Sequence, residues 1–300
     1  MKKNIFIGLA LIISLIFAFT LSLPDGKLHI IFCDVGQGDA AYIRTPSNQD
    51  ILIDGGPNEK VLDCLGKYMP FYDRTIDVLF LSHPQKDHFG GLESVIERYT
   101  VKYFVMSPIA GRGKEYERLI KKIEEKRVPV KILYTGDKFS LGKVGFDILW
   151  PEREWVEANL ATDLNDLSNL SDLSVLGIKT VKRDPNEFSY YLYLSYGQFD
   201  ALFTGDGDSK IQKEIEKDIL LMDIEVLKFP HHGSKTGLLP DFLEKIKPEL
   251  AVISVGKNSY GHPSQEALNL LQEHQVEIKR TDQDGNIQVV SDGKSWEISQ

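Results

Sequence analysis

The sequence predicts a mixed domain of the α/β or α+β class, because short apolar segments typical of strands alternate with segments of helical periodicity. The segment 28–33 is short, apolar and rich in β-branched residues, as expected for a buried strand. The segment 115–126 carries Leu119, Ile120 and Ile123 at the spacing of one helical face. A length of 300 residues with 42% hydrophobic residues is enough to bury a sizeable core in one large domain or two small ones.

The predicted elements follow one another along most of the chain. Strands are expected at 28–33, 40–44, 50–53, 76–81, 101–106, 130–134, 138–139, 144–150, 189–195, 199–204, 224–229 and 250–255, with two or three more in 276–298. Helices are expected at 61–68, 92–99, 115–126, 211–219, 239–246 and from the N-cap Ser264 to Leu271. The turn Tyr196-Gly197-Gln198 is typical of a hairpin. The segment 151–187 contains a low-complexity run of Asp, Asn, Ser and Leu, and we expect a loop or lid inserted into the same domain.

Residues 1–26 predict a membrane anchor or a signal peptide. Lys2 and Lys3 precede an apolar run from Ile5 to Leu23, which is long for a cleaved signal and just long enough to span a bilayer. We favour an uncleaved anchor, with the two lysines inside and the rest of the chain outside the cytoplasm. The expected location is therefore extracytoplasmic, either membrane-anchored or secreted.

Composition restricts the classes of function. A formal net charge of -9 argues against a protein that binds nucleic acid through a broad basic face. It does not exclude an enzyme that acts on a phosphodiester, because a bound metal supplies local positive charge.

Cys33 and Cys64 are not spaced as a metal site, and Cys33 lies in a predicted strand. We expect two buried structural thiols, with a single disulfide as the alternative.

One stretch contains metal-ligand residues at close spacing. The strand predicted at 76–81 is followed by His83, Asp87 and His88, and then by a glycine pair that opens a helix. A loop between a buried strand and a helix can hold several side chains around one point, and imidazoles and carboxylates are ligands of Zn²⁺ and similar ions. Taken alone, this stretch is also compatible with an ordinary polar loop.

The same arrangement recurs at other strand ends. Metal-type residues follow five separate predicted strands, namely Asp54, the cluster His83/Asp87/His88, Asp206, His231 with His232, and His262. The two remaining histidines, His29 and His274, lack this context. Strand ends at one edge of a sheet bring their side chains together, and clustered His and Asp are the ligands expected of a hydrolytic metal centre. The sequence therefore predicts a site for one or two divalent ions, Zn²⁺ or Mn²⁺.

Six motifs between about residues 28 and 298 carry a resemblance to a known family. They are Val35-Gly36-Gln37-Gly38-Asp39, Ile53-Asp54-Gly55-Gly56, Ser82-His83-Pro84 with Asp87-His88, Phe203-Thr204-Gly205-Asp206, Lys228 with Pro230-His231-His232-Gly233-Ser234, and Gly261-His262-Pro263. In order and spacing they resemble the metallo-β-lactamase superfamily, and more narrowly its ComEC-type branch, in which this hydrolase domain occurs attached to, or free of, a DNA-uptake channel. The resemblance implies an α+β fold, a four-layer αβ/βα sandwich with metals at one edge, and makes residues 27–300 the hydrolase domain.

The resemblance also implies roles for individual residues. The implied metal ligands are His83, Asp87, His88, Asp206 and His262. Asp206 is expected to bridge two ions, and His262 is the last ligand of the pattern. One of His231 and His232 is expected at the site, as a ligand or as a donor to the substrate, and we favour His231. Asp54 is expected to orient the main motif by hydrogen-bonding a ligand imidazole.

Gln85 departs from the family pattern, because most of the superfamily has a histidine or an aspartate at this position. An amide oxygen is a neutral and weaker ligand, so the first metal position is expected to bind weakly, to prefer a harder ion such as Mn²⁺, or to stay empty. The histidine usually found between the main motif and the bridging aspartate is also absent. Asp184, Asn186 and Ser189 occupy that region.

The implied chemistry is hydrolysis by metal-activated hydroxide. Asp87 is expected to ligate the metal and to hold or deprotonate the water, and His231 or His232 to stabilise negative charge on the substrate. Candidate substrate contacts are Lys228, Ser234, Lys235 and Lys257.

Three functions are compatible with this sequence. The first is an extracytoplasmic nuclease or phosphodiesterase, with DNA or a small phosphodiester as the substrate. The second is a metallohydrolase of another substrate class, such as a lactone, a thioester or a β-lactam, because a fold does not determine a function. The third is a non-catalytic envelope protein with a degenerate site, for which Gln85 is the only support.

Overall fold

The computed structural model describes residues 7–8, 24–160, 181, 183–215 and 223–299. The strands in these ranges are β1 (Leu28–Phe32), β2 (Ala41–Arg44), β3 (Asp50–Ile53), β4 (Thr75–Phe80), β5 (Thr100–Val105), β6 (Val130–Lys131), β7 (Lys138–Leu141), β8 (Val144–Trp150), β9 (Tyr191–Tyr196), β10 (Phe199–Phe203), β11 (Val226–Lys228), β12 (Leu250–Ile253), β13 (Glu277–Arg280), β14 (Ile287–Ser291) and β15 (Trp296–Ser299). The helices are α1 (Lys60–Tyr68), α2 (Lys86–Phe89), α3 (Leu92–Arg98), α4 (Lys114–Glu125), α5 (Arg153–Ala158), α6 (Ser209–Ile215), α7 (Pro240–Ile246), α8 (Gln265–Glu273) and α9 (Thr281–Asp284). Two short 3₁₀ helices span Pro185–Phe188 and Pro230–Gly233.

The strands form two mixed sheets. The larger sheet has the order β15-β14-β1-β2-β3-β4-β5-β6, and the smaller has the order β13-β12-β11-β10-β9-β8-β7. In the larger sheet β3, β4 and β5 are parallel to one another, and in the smaller sheet β10, β11 and β12 are. The carboxyl ends of parallel strands lie at one edge of a sheet, which is where ligand sites form in such folds. The loops that follow these strands can therefore converge on one point.

Apolar side chains fill the space between the sheets and the space between each sheet and its helices. The strand β1 shows the arrangement, because Ile30 and Phe32 lie in the core between the sheets whereas Ile31 lies in the core under α1, α3 and α4. A third core lies between the smaller sheet and α6, α7 and α8. A strand buried on both faces reads as a continuous apolar run, as β1 does. The predicted four-layer αβ/βα sandwich is confirmed.

One predicted strand is shorter than expected, whereas the predicted hairpin is present. The hairpin is found as expected, with Phe199 opposite Tyr196 in the β9–β10 pair. The strand predicted at 130–134 ends at Lys131. Beyond it, the backbone N–H of Leu133 donates to the hydroxyl of Tyr190 at 3.1 Å, so a side chain replaces the neighbouring strand as its partner.

Cys33 and Cys64 form a disulfide, so the expectation of two free thiols is wrong. Cys33 directly follows β1, and Cys64 lies on the buried face of α1. Their Cα atoms are 5.8 Å apart, a distance usual for a disulfide. The pairing depends on how α1 packs over the end of β1, and residue spacing does not show this.

Two predicted segments lie largely outside the described residues. They are the anchor within 1–26, of which residues 1–6 and 9–23 are not described, and the middle of the lid, 161–180 with 182. Among the residues that are described, no helix is long and apolar enough to cross a membrane. The two ends of the lid segment reach the core, where Val156 and Phe188 pack in one apolar cluster with Ile109. The anchor and the lid therefore stay predictions.

Candidate metal centre

Loops from both sheets bring carboxylates and imidazoles together at one buried point. The loop after β4 and the short helix α2 supply Asp87 and His88, the loop after β10 supplies Asp206, and the turn after β11 supplies His232. One ligand atom from each of these four residues lies within 4.8 Å of the others. We define Asp87, His88, Asp206 and His232 as the inner cluster.

Asp206 lies at the centre of this group. Its Oδ1 is 3.3 Å from His88 Nε2, and its Oδ2 is 3.5 Å from His232 Nε2. His83 Nε2 is 3.9 Å from the same Oδ2, and Asp87 Oδ2 is 3.4 Å from His232 Nε2. Ion ligands are expected to surround one point in this way.

Several buried atoms at this point have no hydrogen-bond partner among the described residues. They are Nε2 of His83, His88 and His232, and Oδ1 of Asp206. Buried polar atoms nearly always have a partner, and a missing one calls for an explanation such as an ion. Imidazole nitrogens and carboxylate oxygens are also the ligand types of Zn²⁺ and Mn²⁺. The residues present therefore fit a divalent cation.

Asp54 orients His88, which is the role that the family resemblance implies for it. His88 Nδ1 donates to Asp54 Oδ2 at 2.8 Å, while Ser82 donates to the same carboxylate from its backbone N–H and from its hydroxyl. With its proton on Nδ1, neutral His88 presents the Nε2 lone pair to the inner cluster. Such an outer carboxylate fixes the tautomer and direction of a ligand imidazole.

His232 is oriented by a second set of groups. Its Nδ1 donates to the backbone carbonyl of Ser254 at 2.9 Å, and Asp39 Oδ1 lies 3.2 Å from the same nitrogen. Asp39 Oδ2 is in turn 2.6 Å from Lys228 Nζ, which also donates to the carbonyl of Phe229. Neutral His232 therefore carries its proton on Nδ1 and presents Nε2 to Asp206 and Asp87.

The sequence contains Asp39 in one of the six motifs but does not predict a role for it. A signal was present, because Asp39 stands in a glycine turn directly before β2, as other site residues stand in loops beside strands. The turn packs tightly on the main motif, since Asp39 N donates to Asp87 O at 3.1 Å. A Cβ on Gly38 would lie 2.3 Å from Asp87 O, and Gly38 has a positive φ of 152°, so this position requires glycine.

His83 is held as a neutral imidazole. The Ser82 hydroxyl donates to Asp54 and can accept from His83 Nδ1, which lies 3.1 Å away. Burial, together with the positive charge of His88, lowers the pKa of His83 to about 3. His83 Nε2 therefore faces the site without a proton.

Opposite charges hold the rest of the centre together. Burial disfavours the protonated form of His88, but Asp206 and Asp54 outweigh it and raise the pKa of His88 well above its usual value. Burial also opposes protonation of His232, and Asp206 and Asp39 raise the pKa of His232 in the same way. Burial alone would raise the pKa of Asp206, yet His232 and His88 lower it well below its usual value. Metal binding must displace the protons from these imidazoles.

The structure brings His232 into the inner cluster, whereas we expected His231. Both residues lie in the 3₁₀ helix after β11, with left-handed φ angles of 51° and 53°. This conformation turns the buried His232 towards Asp206 and leaves His231 half-buried, with its ring centroid 5.6 Å from that of His262. His262, the expected last ligand, lies outside the inner cluster, and the Nδ1 atoms of His231 and His262 have no hydrogen-bond partner in the described structure.

The four candidate substrate contacts have different surroundings. Lys228 is only 4% exposed and is paired with Asp39, so its prediction as a phosphate contact is wrong. Ser234 is buried, and its hydroxyl lies 3.2 Å from that of Thr236. Lys235 and Lys257 are exposed and stay candidates.

A cleft of about 680 Å³ opens beside the inner cluster. Asp87 and Gln85 line it, together with Arg112, Arg183 and Tyr260. Tyr260 is 74% exposed, and its ring centroid is 5.8 Å from that of His262. The cleft therefore reaches the inner cluster at the half-buried Asp87 and carries cationic and aromatic side chains on its walls.

A four-layer αβ/βα sandwich with a His/Asp cluster at one edge of its two sheets is the arrangement of a metal-dependent hydrolase. Residues 33–257 match the sequence profile of the Metallo-beta-lactamase superfamily. The chain belongs to this superfamily.

Two competence proteins and one solved structure are similar to this chain. The chain is 28% identical over 298 residues to ComE operon protein 3 of Bacillus subtilis, a match that covers 91% of this chain and 34% of the relative. It is 27% identical over 274 residues to Competence protein ComA of Neisseria gonorrhoeae, covering 89% of this chain and 33% of the relative. These matches confirm the ComEC-type resemblance, although the chain spans about a third of the length of these relatives. The metallo-β-lactamase fold protein YhfI from Bacillus subtilis, at 11% identity, has the same fold with a TM-score of 0.53 over 88% of this chain and 100% of YhfI.

Proposed function

We propose that this chain is a metal-dependent phosphodiesterase that cleaves nucleic acid outside the cytoplasm. The observation that carries the proposal is the inner cluster, in which two carboxylates and two oriented imidazoles meet, with buried atoms that have no hydrogen-bond partner in the part of the chain that the structure describes. A divalent metal bound there lowers the pKa of water and offsets the negative charge of a phosphodiester.

Asp87 is placed to handle the proton of the attacking water. It is half-buried and lines the cleft, so its carboxylate lies between the other residues of the inner cluster and the space that is open to a substrate. Burial would raise the pKa of Asp87, but His232 and His88 outweigh it and lower this pKa below its usual value. Asp87 is therefore ionised near neutral pH and can hold a water molecule or accept its proton.

His231 and His262 are placed to contact the substrate. They are half-buried, lie side by side at the edge of the inner cluster and have unpartnered Nδ1 atoms. An imidazole N–H directed at a phosphate oxygen stabilises the charge that develops during hydrolysis. This assignment gives His231 a substrate role and keeps His232 as the metal ligand.

Two features favour nucleic acid as the phosphodiester. One relative is named for competence, and the ComEC-type resemblance places such domains with DNA-uptake channels. The cleft combines Arg112 and Arg183 with the exposed ring of Tyr260, and a base can stack on such a ring while cations contact the backbone. A single strand suits this cleft, in a chain of net charge -9, better than a duplex does.

The apolar run 5–23 supports a location outside the cytoplasm.

The proposal is tested with the full chain in a mild detergent. Single-stranded DNA, a bis-aryl phosphodiester and a chromogenic β-lactam are each offered with Mn²⁺ or Zn²⁺. We expect hydrolysis of the first two, its loss in Asp206→Asn, and no loss in the matched control His274→Asn, because His274 lies at the end of α8 against Leu270. Cleavage of the lactam alone would contradict the substrate class, and a metal-loaded protein inert on all three would contradict catalysis.

A further inference from the structure

The groups beside His83 are amides. Gln85 follows His83 by two residues, and its Nε2 donates a hydrogen bond to Asn186 Oδ1. Asn186 is buried and lies in the 3₁₀ helix Pro185–Phe188. The same segment borders the inner cluster, because the hydroxyl of Ser189 accepts a hydrogen bond from Asp206 N. The amide pair therefore links the loop that carries His83 to the segment that contacts Asp206.

A second ion at His83 would need ligands that this amide pair does not offer. His83 Nε2 and Asp206 Oδ2 are 3.9 Å apart, so both could face one further ion. However, Asn186 Oδ1 already accepts from Gln85, and the Gln85 nitrogen that faces it can only donate. Recruiting Asn186 Oδ1 would weaken this hydrogen bond in a largely buried place, and Gln85 Oε1, which takes no part in the bond, would supply only a neutral ligand.

The available negative charge also matches one dication. Asp87 and Asp206 bring two carboxylates to the inner cluster. Asp54 lies close by, but it accepts hydrogen bonds from Ser82 and His88. Asp39 is paired with Lys228. Neither outer carboxylate is free to neutralise a second dication.

We propose that the chain binds a single divalent cation through Asp87, His88, Asp206 and His232, and that the hydrogen-bonded pair Gln85–Asn186 excludes a second ion from the position beside His83. The amide pair then determines how many ions the centre holds. This inference rests on the metal centre but not on the substrate of the proposed function.

The test measures metal content. The full chain in a mild detergent is stripped with a chelator, dialysed against excess Mn²⁺ or Zn²⁺, and analysed by plasma emission spectroscopy. We expect one ion per chain with either metal. The paramagnetic resonance spectrum of the Mn²⁺ form should be that of an isolated ion, without the features of an exchange-coupled pair.

A matched pair of variants tests the role of the amides. Gln85→His with Asn186→His replaces both amides by imidazoles and is expected to bind two ions per chain, with the spectrum of a coupled pair. Lys86→His adds a histidine one residue further along, where the exposed Lys86 pairs with Glu115 on the surface. This control should still bind one ion.

Each outcome decides the inference. Two ions or none in the wild type would overturn it, and so would a folded double variant that still binds one. If the double variant does not fold, Gln85→Glu replaces it, since a carboxylate of the same shape should also admit a second ion. An active wild type with two ions contradicts the inference and keeps the proposed function. A wild type that binds one ion but cleaves no phosphodiester contradicts the proposed function and keeps the inference.

Discussion

The buried pair of Lys228 and Asp39 should be one of the most sensitive points of the structure. The two residues are 4% and 5% exposed, and Lys228 Nζ lies 2.6 Å from Asp39 Oδ2. The substitution Lys228→Met keeps the length of the side chain but removes its charge. It leaves the Asp39 carboxylate buried beside His232 without its main partner.

The charges around Asp39 determine how much stability the substitution should cost. Burial would raise the pKa of Asp39, but Lys228 and His232 lower it from 3.8 to about 2. Because the folded pKa is the lower one, Asp39 stabilises the fold by about 2 kcal/mol above pH 3.8, and this contribution is lost as the pH falls through about 2. Removing one partner of a buried pair costs about 3–5 kcal/mol. We therefore expect Lys228→Met to lower the free energy of unfolding by about 3–5 kcal/mol at pH 7.

Urea denaturation of the metal-free full chain at pH 7 measures this loss. The double variant Asp39→Asn/Lys228→Met removes both charges and should recover most of it, because no charge is left buried alone. A loss below about 1 kcal/mol in Lys228→Met, the range of an exposed pair, would refute the reasoning. So would a double variant no more stable than the single one.

Three further predictions concern the centre, the disulfide and the cleft. Asp54→Ala should weaken metal binding by about 10- to 100-fold in titration calorimetry, since His88 loses its orienting partner, and unchanged affinity would contradict that role. The double variant Cys33→Ser/Cys64→Ser should lower the free energy of unfolding by about 3–4 kcal/mol, because the disulfide joins residues 31 positions apart. Urea denaturation of the wild type with a reductant should show the same loss. Tyr260→Ala should raise KM for single-stranded DNA by roughly 5- to 100-fold, because a base loses the ring on which it stacks, and should leave KM for a bis-aryl phosphodiester unchanged. Equal losses on both substrates in steady-state kinetics would contradict stacking.

The sequence predicts the part of the site that depends on local pattern. Asp54, His88 and Asp206 each follow an apolar strand, and the parallel pairing of β3 with β4 is enough to bring Asp54 and His88 to one edge of the larger sheet. The alternation of apolar segments with helical periodicity predicts only a mixed α/β or α+β domain, and the four-layer fold is what the family resemblance implies. Motif order then assigns the family.

The remainder depends on tertiary contacts that no local pattern shows. The choice between His231 and His232 is made by two consecutive left-handed residues, a conformation that histidine seldom adopts. The sequence predicts Lys228 as a substrate contact, yet a charge at the end of a buried strand needs a partner, and Asp39 supplies it from a turn far away in the chain. The link between Gln85 and Asn186 spans 101 positions of sequence. Such pairs become visible only when the two sheets are packed together.

Anomalous X-ray scattering from crystals soaked in Mn²⁺ or Zn²⁺ tests the central claim most directly, which is that the strand ends of both sheets build a metal centre. We predict one strong peak within ligand distance of Asp87, His88, Asp206 and His232, and no peak beside the Gln85–Asn186 pair. The absence of a peak in the inner cluster would contradict the metal centre, and a second peak beside the Gln85–Asn186 pair would contradict the single ion.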